Sequence, residues 1–289
     1  IVAIVMTVIG FGFKVAAVPF HLWAPDAYEG APTPSAAFIA SGSKVASFFI
    51  LAKVMMLGFA GAEGSGAWKA YMPGWVPVIA LVAALSLVLG NLAAIAQKSI
   101  RRLLAYSAIA HAGYMLLGVM ADSQAGVASL VYYVITYALT TVGAFGVVAV
   151  VAERGGDSLA DFAGLSRRAP LVALCLMVFI LSLAGIPPLA GFFGKFYLFT
   201  SAAAAGKQSL GLLWLVILAI AMSAVSLYYY LKVLKQAYVA PLAEGAEPLK
   251  VEKTTIVALV VLAAAVFLAG AAPNLLLEKL LSAIKAAGL

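Results

Sequence analysis

The sequence predicts an all-α polytopic membrane protein of about eight transmembrane helices, two of them discontinuous. Apolar residues make up 65% of the 289 residues and charged residues only 10%, and the mean hydropathy is +1.11. A soluble domain needs about 25% charged residues to cover its surface, which this chain does not have. No stretch alternates apolar and polar residues with a period of two, as the strands of a membrane barrel would. The solvent of this chain is therefore lipid.

Eight stretches are apolar over about the 20 residues that a helix needs to cross a bilayer. In chain order the predicted spans are Ile1–Trp23, Pro34–Phe59, Val76–Ala96, Leu103–Met120, Gly126–Ala152, Leu171–Thr200, Leu210–Leu231 and Thr254–Ala271. The tail that follows, Leu275–Leu289, carries charges at helical spacing and suits a helix lying on the membrane interface. Because the sequence opens on an apolar segment without an initiator Met, we expect it to be a piece of a longer protein.

Basic residues in the connecting segments predict the orientation. The connections after odd-numbered spans hold ten Lys and Arg residues, and the opposite side holds only Lys69, Lys207, Lys279 and Lys285. The positive-inside rule then places the connections after odd-numbered spans in the cytoplasm. The same rule accounts for the net charge of +7 without nucleic acid. The ten residues are Lys98, Arg101, Arg102, Arg154, Arg167, Arg168, Lys232, Lys235, Lys250 and Lys253.

Four lysines lie inside predicted spans: Lys14, Lys44, Lys53 and Lys195. A lysine near the bilayer centre costs about 2.5–3.5 kcal/mol on insertion scales and marks a functional site by default. Lys44 lies about 15 Å into its span and Lys14 about 20 Å into the first, so both are too deep to reach the headgroups. Lys53 lies near the outer end of its helix, where its long stem brings the amine to the interface. We expect Lys14, Lys44 and Lys195 to be functional.

Helix-breaking residues accompany two of these lysines. Proline removes a backbone donor and glycine weakens the hydrogen-bond ladder, so we expect the first and sixth spans to open. Unpaired backbone is tolerated in a membrane only when it is buried in protein or lines a wet cavity. Discontinuous helices in two related places point to an ion site. The expected break residues are Pro19 and Pro25 near Lys14, and Gly185, Pro187, Pro188 and Gly191 near Lys195.

One histidine adds to this polar set. His111 lies roughly 12 Å into the fourth span. An isolated core histidine is commonly satisfied by a backbone carbonyl, but an imidazole among buried lysines suits a proton relay. Hydroxyls follow along the fifth span and serve either as part of a polar path or as contacts between helices. They belong to Tyr133, Thr136, Tyr137, Thr140 and Thr141. The sequence thus predicts proton carriage by Lys14, Lys44, Lys195 and His111.

Cofactor motifs are missing from the sequence. It contains no Gly-rich phosphate-binding loop, no His pair at haem spacing, and only one cysteine, Cys175, where an iron–sulfur cluster needs several. We therefore expect no cofactor and no metal on this chain. Any redox or nucleotide chemistry would then be carried out by other chains.

Several stretches resemble the antiporter-like membrane subunits of NADH-quinone oxidoreductase, complex I. They are Gly12–Lys14 with Val18–Pro34, Ser43–Lys44, Arg101–Ser107 with His111, and Ser182–Pro188 with Gly194–Tyr197. The resemblance extends over essentially the whole chain. Within that family the pattern Pro-Phe-His-x-Trp-x-Pro-Asp-x-Tyr at 19–28 is most similar to the branch called subunit N.

The resemblance implies a fourteen-helix fold with two inverted repeats, of which this chain matches helices seven to fourteen. It divides the chain into the end of the first repeat (1–59), the second repeat (76–231), and a cytoplasmic loop with the last helix and tail (232–289). It implies that Lys14 and Lys195 belong to the two broken helices, Lys44 to a connecting position and His111 to a hydrophilic central axis. NADH, FMN, iron–sulfur clusters and quinone are implied on partner subunits, in the inner (plasma) membrane of the cell.

Three functions remain open. The first is a proton-translocating, non-redox membrane subunit of complex I, with the other membrane subunits and lipid as partners and no nucleic acid. The second is a subunit of a multisubunit cation/proton antiporter, which shares the same lysines. The third is a structural membrane subunit of a related hydrogenase complex, which is disfavoured because a buried lysine is costly unless it is used. The residue pattern at Pro19–Gly30 favours the first function, a subunit of complex I.

Overall fold

The computed structural model describes residues 2–67, 69–153, 156–205, 210–242 and 248–287, and it is built mainly of helices. Arg154 and Lys207, two of the basic loop residues used to predict orientation, lie outside the described residues. Among the described residues, six helices are long and apolar enough to cross a membrane. Together with two interrupted helices they account for the eight predicted spans, which confirms an all-α polytopic membrane fold.

The helices follow the predicted spans to within a few residues at most ends. In chain order they are α1 Val2–Val15, α2 Trp23–Gly30, α3 Thr33–Ala40, α4 Gly42–Lys53, α5 Trp75–Ile95, α6 Ile100–Met120, α7 Gln124–Ala152, α8 Leu165–Arg168, α9 Pro170–Ala184, α10 Ala190–Ala204, α11 Leu213–Tyr238, α12 Lys253–Ala271 and α13 Pro273–Ala286. A short antiparallel hairpin, β1 Ser65–Ala67 with β2 Ala70–Met72, lies between α4 and α5 and was not predicted.

The first span is interrupted as predicted, between α1 and α2. Pro19 lies inside the interruption, and the freed backbone groups find partners in the protein. The Val18 amide donates to Ser86 Oγ at 2.9 Å, and the Trp23 indole donates to the Phe13 carbonyl at 3.0 Å. The prediction that Pro25 breaks the helix was wrong. Pro25 is the third residue of α2, and the first turn of a helix tolerates proline because its amides have no partner within the helix.

The sixth span is interrupted between α9 and α10. The α9 helix ends at Ala184, and Gly185 caps it with φ at 86°, a left-handed conformation that glycine adopts without strain. Pro187 and Pro188 lie in the interruption, as predicted. Gly191 instead lies in the first turn of α10. Its lack of a side chain allows close approach, because a Cβ there would clash with the Ser182 carbonyl oxygen.

A third, smaller irregularity was not predicted. The second span is divided at Ser41 into α3 and α4, and the Ser41 hydroxyl donates back to the Ala37 carbonyl at 2.6 Å. Such back-bonding bends helices, particularly beside a glycine, and Gly42 follows directly. Lys44 lies in the first turn of α4, immediately after this bend. The same span ends in a π-helical turn over Val54–Gly58.

Helix α6 forms the axis of the bundle. Almost all of its residues are buried, and α2, α5, α7 and α10 pack around it. Its first turn is tied to α2 by Arg102, which bonds Asp26 at 2.7 Å and Glu29 at 2.8 Å. The tail helix α13 packs against α7, where Ile284 meets Val127 and Ala128. Whether this tail lies on the membrane interface remains a prediction.

We predict that Gly191→Ala destabilises the subunit and that Gly30→Ala does not. The added methyl at 191 meets the Ser182 carbonyl, a backbone atom that cannot rotate away, whereas nothing lies within 4 Å of a Cβ at Gly30. Overpacking of this kind costs about 1–3 kcal/mol. Thermal denaturation of the purified full-length subunit in detergent measures the difference. Equal denaturation temperatures for the two variants would show that α9 and α10 do not approach as closely as described.

Candidate functional site

Lys195 is buried at the interruption of the sixth span. It lies on α10 with 4% of its surface exposed. Its amine donates to the carbonyls of Leu183 at 3.1 Å and Ala184 at 3.0 Å, and to Ser223 Oγ on α11 at 2.9 Å. These are neutral acceptors, and they use all three donors of an ammonium group.

The two carbonyls are available because of the prolines. In a continuous helix, the carbonyls of Leu183 and Ala184 would accept from the amides of the residues four positions later. Those residues are Pro187 and Pro188, which have no amide hydrogen. The interruption therefore creates the acceptors that Lys195 uses. The sixth span opens near Lys195 as predicted, and the opening places two freed carbonyls at its amine.

Lys44 is the second buried amine, with 2% of its surface exposed. It lies in the first turn of α4, and its Nζ donates to the Ala108 carbonyl in the middle of α6. The amine also lies over the ring of Tyr137, 5.8 Å from the ring centre. Both contacts stabilise a positive charge without a carboxylate.

His111 lies on α6 between the two lysines and is held by two tyrosine hydroxyls. Its Nδ1 is 2.7 Å from the Tyr133 hydroxyl, and its Nε2 is 3.0 Å from the Tyr230 hydroxyl. Because a neutral imidazole has one donor nitrogen and one acceptor nitrogen, one tyrosine accepts a hydrogen bond while the other donates one. Tyr230 also exchanges a hydrogen bond with Ser107.

Two tyrosine rings connect the histidine to the lysines. The centre of the Tyr137 ring lies 4.9 Å from the centre of the His111 ring, and the Lys44 amine lies over the same tyrosine ring. The Tyr114 ring lies 5.7 Å from His111 and 5.0 Å from the Lys195 amine. We call this series of side chains, Lys44, Tyr137, His111, Tyr114 and Lys195, the lysine–histidine file. It brings together three of the four predicted proton-carrying residues.

The fourth predicted residue, Lys14, is not in the file. It is the penultimate residue of α1 and is exposed on the surface of the described chain, rather than buried among other polar groups. Lys53 is also exposed, as expected for a lysine whose amine reaches the interface. Among the described residues, no Asp or Glu is buried. The file therefore groups basic side chains with no buried carboxylate among the described residues.

Several site residues were missed from the sequence. Tyr114, Tyr230 and Ser223 come from α6 and α11 and reach the file only because the helices pack together. Tyr229 beside them donates to Asn91 of α5 at 3.0 Å. Aromatic residues are common in membrane helices, so only their position next to lysine and histidine distinguishes them. Within the described ranges, no group of three or more His, Cys, Asp or Glu residues lies close enough to bind a metal ion.

A broken helix with a buried lysine, packed against a helix with a buried histidine, matches the motifs that carried the resemblance. The family model for the NADH:quinone oxidoreductase/Mrp antiporter transmembrane region matches residues 1–225. The chain belongs to this family. The resemblance drawn from the motifs is therefore confirmed.

Relatives and solved structures agree with this membership. The chain is 60% identical over 278 residues to "NADH-quinone oxidoreductase subunit N 2" of Acidobacterium capsulatum, covering 96% of this chain and 56% of that protein. It is 38% identical to a chain of respiratory complex I from Thermus thermophilus, with a TM-score of 0.80, covering 96% of this chain and 58% of that one. The chain thus spans somewhat more than half the length of these relatives.

A second structural neighbour shares the fold at lower identity. It is a chain of the Mrp complex from Dietzia sp., with a TM-score of 0.85 at 20% identity, covering 98% of this chain and 58% of that chain. At this identity the likeness shows the fold alone.

We predict that Tyr230→Phe costs more stability than Tyr133→Phe. The first change removes a partner from both His111 and Ser107, whereas the second removes a partner from His111 only. Each buried polar group left without a partner costs about 1–3 kcal/mol. Denaturation of the full-length subunit in mixed micelles gives the free energy of unfolding for each variant. An equal loss for the two variants would contradict the shared role of Tyr230.

Proposed function

We propose that this chain belongs to a proton-translocating, non-redox membrane subunit of an NADH-quinone oxidoreductase, in which the lysine–histidine file carries protons. The observation that supports this most strongly is the file itself. Three protonatable side chains, all buried, follow one another across the bundle. Buried ionisable groups in a membrane are expensive and mark proton relays. The name of the relative from Acidobacterium capsulatum agrees with this choice of complex.

In this proposal Lys195 binds a proton reversibly. Carbonyl and hydroxyl oxygens stabilise the ammonium form by hydrogen bonding. A carboxylate in their place would stabilise the charge much more strongly and would keep the proton on the amine. With only neutral acceptors, the arrival or departure of charge at a neighbouring site is enough to change the protonation of Lys195.

His111 transfers protons between the two lysines. A proton that reaches one ring nitrogen makes the imidazolium, which then releases the proton from the other nitrogen. Tyr133 and Tyr230 stand at the two nitrogens and fix the ring in position for this exchange. No hydrogen bond joins Lys44, His111 and Lys195 directly within the described part of the chain. Transfer between them therefore requires bridging water molecules.

The remaining predictions belong to the same proposal. By the resemblance, Lys14 is the equivalent proton group at the first broken helix, where its surface position suits contact with groups outside the file. The division into 1–59, 76–231 and 232–289 is a prediction from the same resemblance. We place connections after odd-numbered spans in the cytoplasm, the redox cofactors and quinone on partner chains, and the other membrane subunits of the complex alongside this one.

The second candidate function is a subunit of a multisubunit cation/proton antiporter. The matching family model covers both the NADH:quinone oxidoreductase and the Mrp antiporter, and the same file would serve a coupled exchange of cations and protons. Co-purification from native membranes separates the two candidates. Recovery together with NADH-oxidising subunits supports the oxidoreductase, and recovery only with other antiporter subunits supports the exchanger.

We predict that Lys44→Ala and Lys195→Ala each lower proton pumping more than they harm assembly. Each change removes a buried amine from the file, whereas Lys53→Ala removes an exposed lysine from the second span and is the matched control. Pumping is measured as protons moved per electron in vesicles containing the intact complex, with assembly followed by native gel electrophoresis. We expect a several-fold lower ratio for both file variants and a normal ratio for Lys53→Ala. A normal ratio for Lys195→Ala would contradict the role proposed for the file.

A further inference from the structure

A cavity opens beside Lys195 on the outside of the helix bundle. Its volume is about 350 Å³, and it lies between α10 and α11. Three phenylalanines of α10, Phe192, Phe196 and Phe199, form one wall, and Ala224 of α11 forms part of the other. Phe196 is 50% exposed, so the opening faces sideways, toward the surroundings of the helices. A volume of this size falls in the range of small-molecule sites.

The inner end of this cavity is polar. Lys195, which is 4% exposed, and Ser223 are its two polar lining residues, while the other lining residues are apolar apart from backbone groups. The described partners of the Lys195 amine are neutral, and no Asp or Glu is buried among the described residues. A buried cation is most stable when an anion accompanies it. The cavity therefore combines an apolar, aromatic entrance with a basic amine at its base that has no carboxylate partner among the described residues.

We propose that this cavity binds the free carboxyl group and the adjoining hydrocarbon of a long-chain carboxylic acid that enters from the membrane. The hydrocarbon lies along the phenylalanines, and the carboxyl group reaches Lys195 and Ser223. The apolar wall suits an acyl chain, which is the most abundant apolar group in the surroundings of a membrane helix. Lys195 recognises the acid because its ammonium form pairs with the carboxylate.

The acid enters uncharged and becomes charged only at Lys195. Its O–H bond breaks and an N–H bond forms on the neutral amine, which gives an ammonium–carboxylate pair with no other reactant. Such a pair holds the proton on Lys195, whereas the carbonyl acceptors alone do not. Binding itself is independent of the proposed function. Only its consequence, slower proton transfer through the lysine–histidine file, rests on that function.

The test uses the intact complex in lipid nanodiscs and a palmitic acid that carries a photoreactive diazirine on its chain. Illumination followed by peptide mapping locates the label. Ala224→Trp fills the cavity and leaves the Lys195 side chain unchanged, and Ala221→Trp is the matched control, because Ala221 is an exposed neighbour on the same helix that does not line the cavity. The methyl ester of the probe tests the carboxyl group, and Lys195→Met tests the amine. Labelling is measured without turnover, so it does not depend on pumping.

We expect label on α10 or α11 in the unaltered complex and in Ala221→Trp. Labelling should fall at least tenfold in Ala224→Trp, in Lys195→Met, and with the methyl ester. Absence of label on these helices would overturn the proposal, as would equal labelling of Ala224→Trp and the unaltered complex. Equal labelling by the acid and its ester would also overturn it, since the cavity would then be a crevice for any acyl chain.

Discussion

The bond between the Lys195 amine and the carbonyls of Leu183 and Ala184 is the interaction on which the rest of the site depends. It exists because Pro187 and Pro188 supply no amide hydrogen to those carbonyls. Two unpaired carbonyls within a membrane bundle are costly, and so is a buried amine. When the amine bonds to the carbonyls, the free-energy cost of burying each polar group becomes much smaller. The broken helix and the buried lysine are therefore two parts of one feature.

The same reasoning explains how charge is distributed through the bundle. Lys44 is stabilised by a carbonyl and an aromatic ring, and His111 by tyrosine hydroxyls. Each protonatable group thus has neutral partners, which lower the cost of its charge without fixing its proton. The highly buried helix α6 supplies His111, Tyr114 and the Ala108 carbonyl, so it acts as the common support for both lysines. The ion pairs of Arg102 with Asp26 and Glu29 hold one end of that support against the first broken helix.

The fold and the deepest site residues could be predicted from sequence because their signals are local. Runs of apolar residues gave the spans, and Pro187 with Pro188 gave the second interruption. The prediction that Pro25 breaks the helix failed because proline breaks a helix only beyond its first turn. A sequence does not show where that turn begins. The bend at Ser41 depends on a weak local bond. Tyr114 and Tyr230 could not be chosen, because their role depends on which helices pack against α6. The exposure of Lys14 likewise depends on what surrounds α1.

The central claim is that protons cross the bundle through Lys44, His111 and Lys195 by way of water. The most direct measurement is a structure of the assembled complex at a resolution that shows ordered water molecules. We expect water in hydrogen-bond contact between Lys44 and His111 and between His111 and Lys195, with the carbonyls of Leu183 and Ala184 turned toward the Lys195 amine. Dry packing along the whole file, or an uninterrupted helix through residues 184–190 with Lys195 facing lipid, would contradict the account.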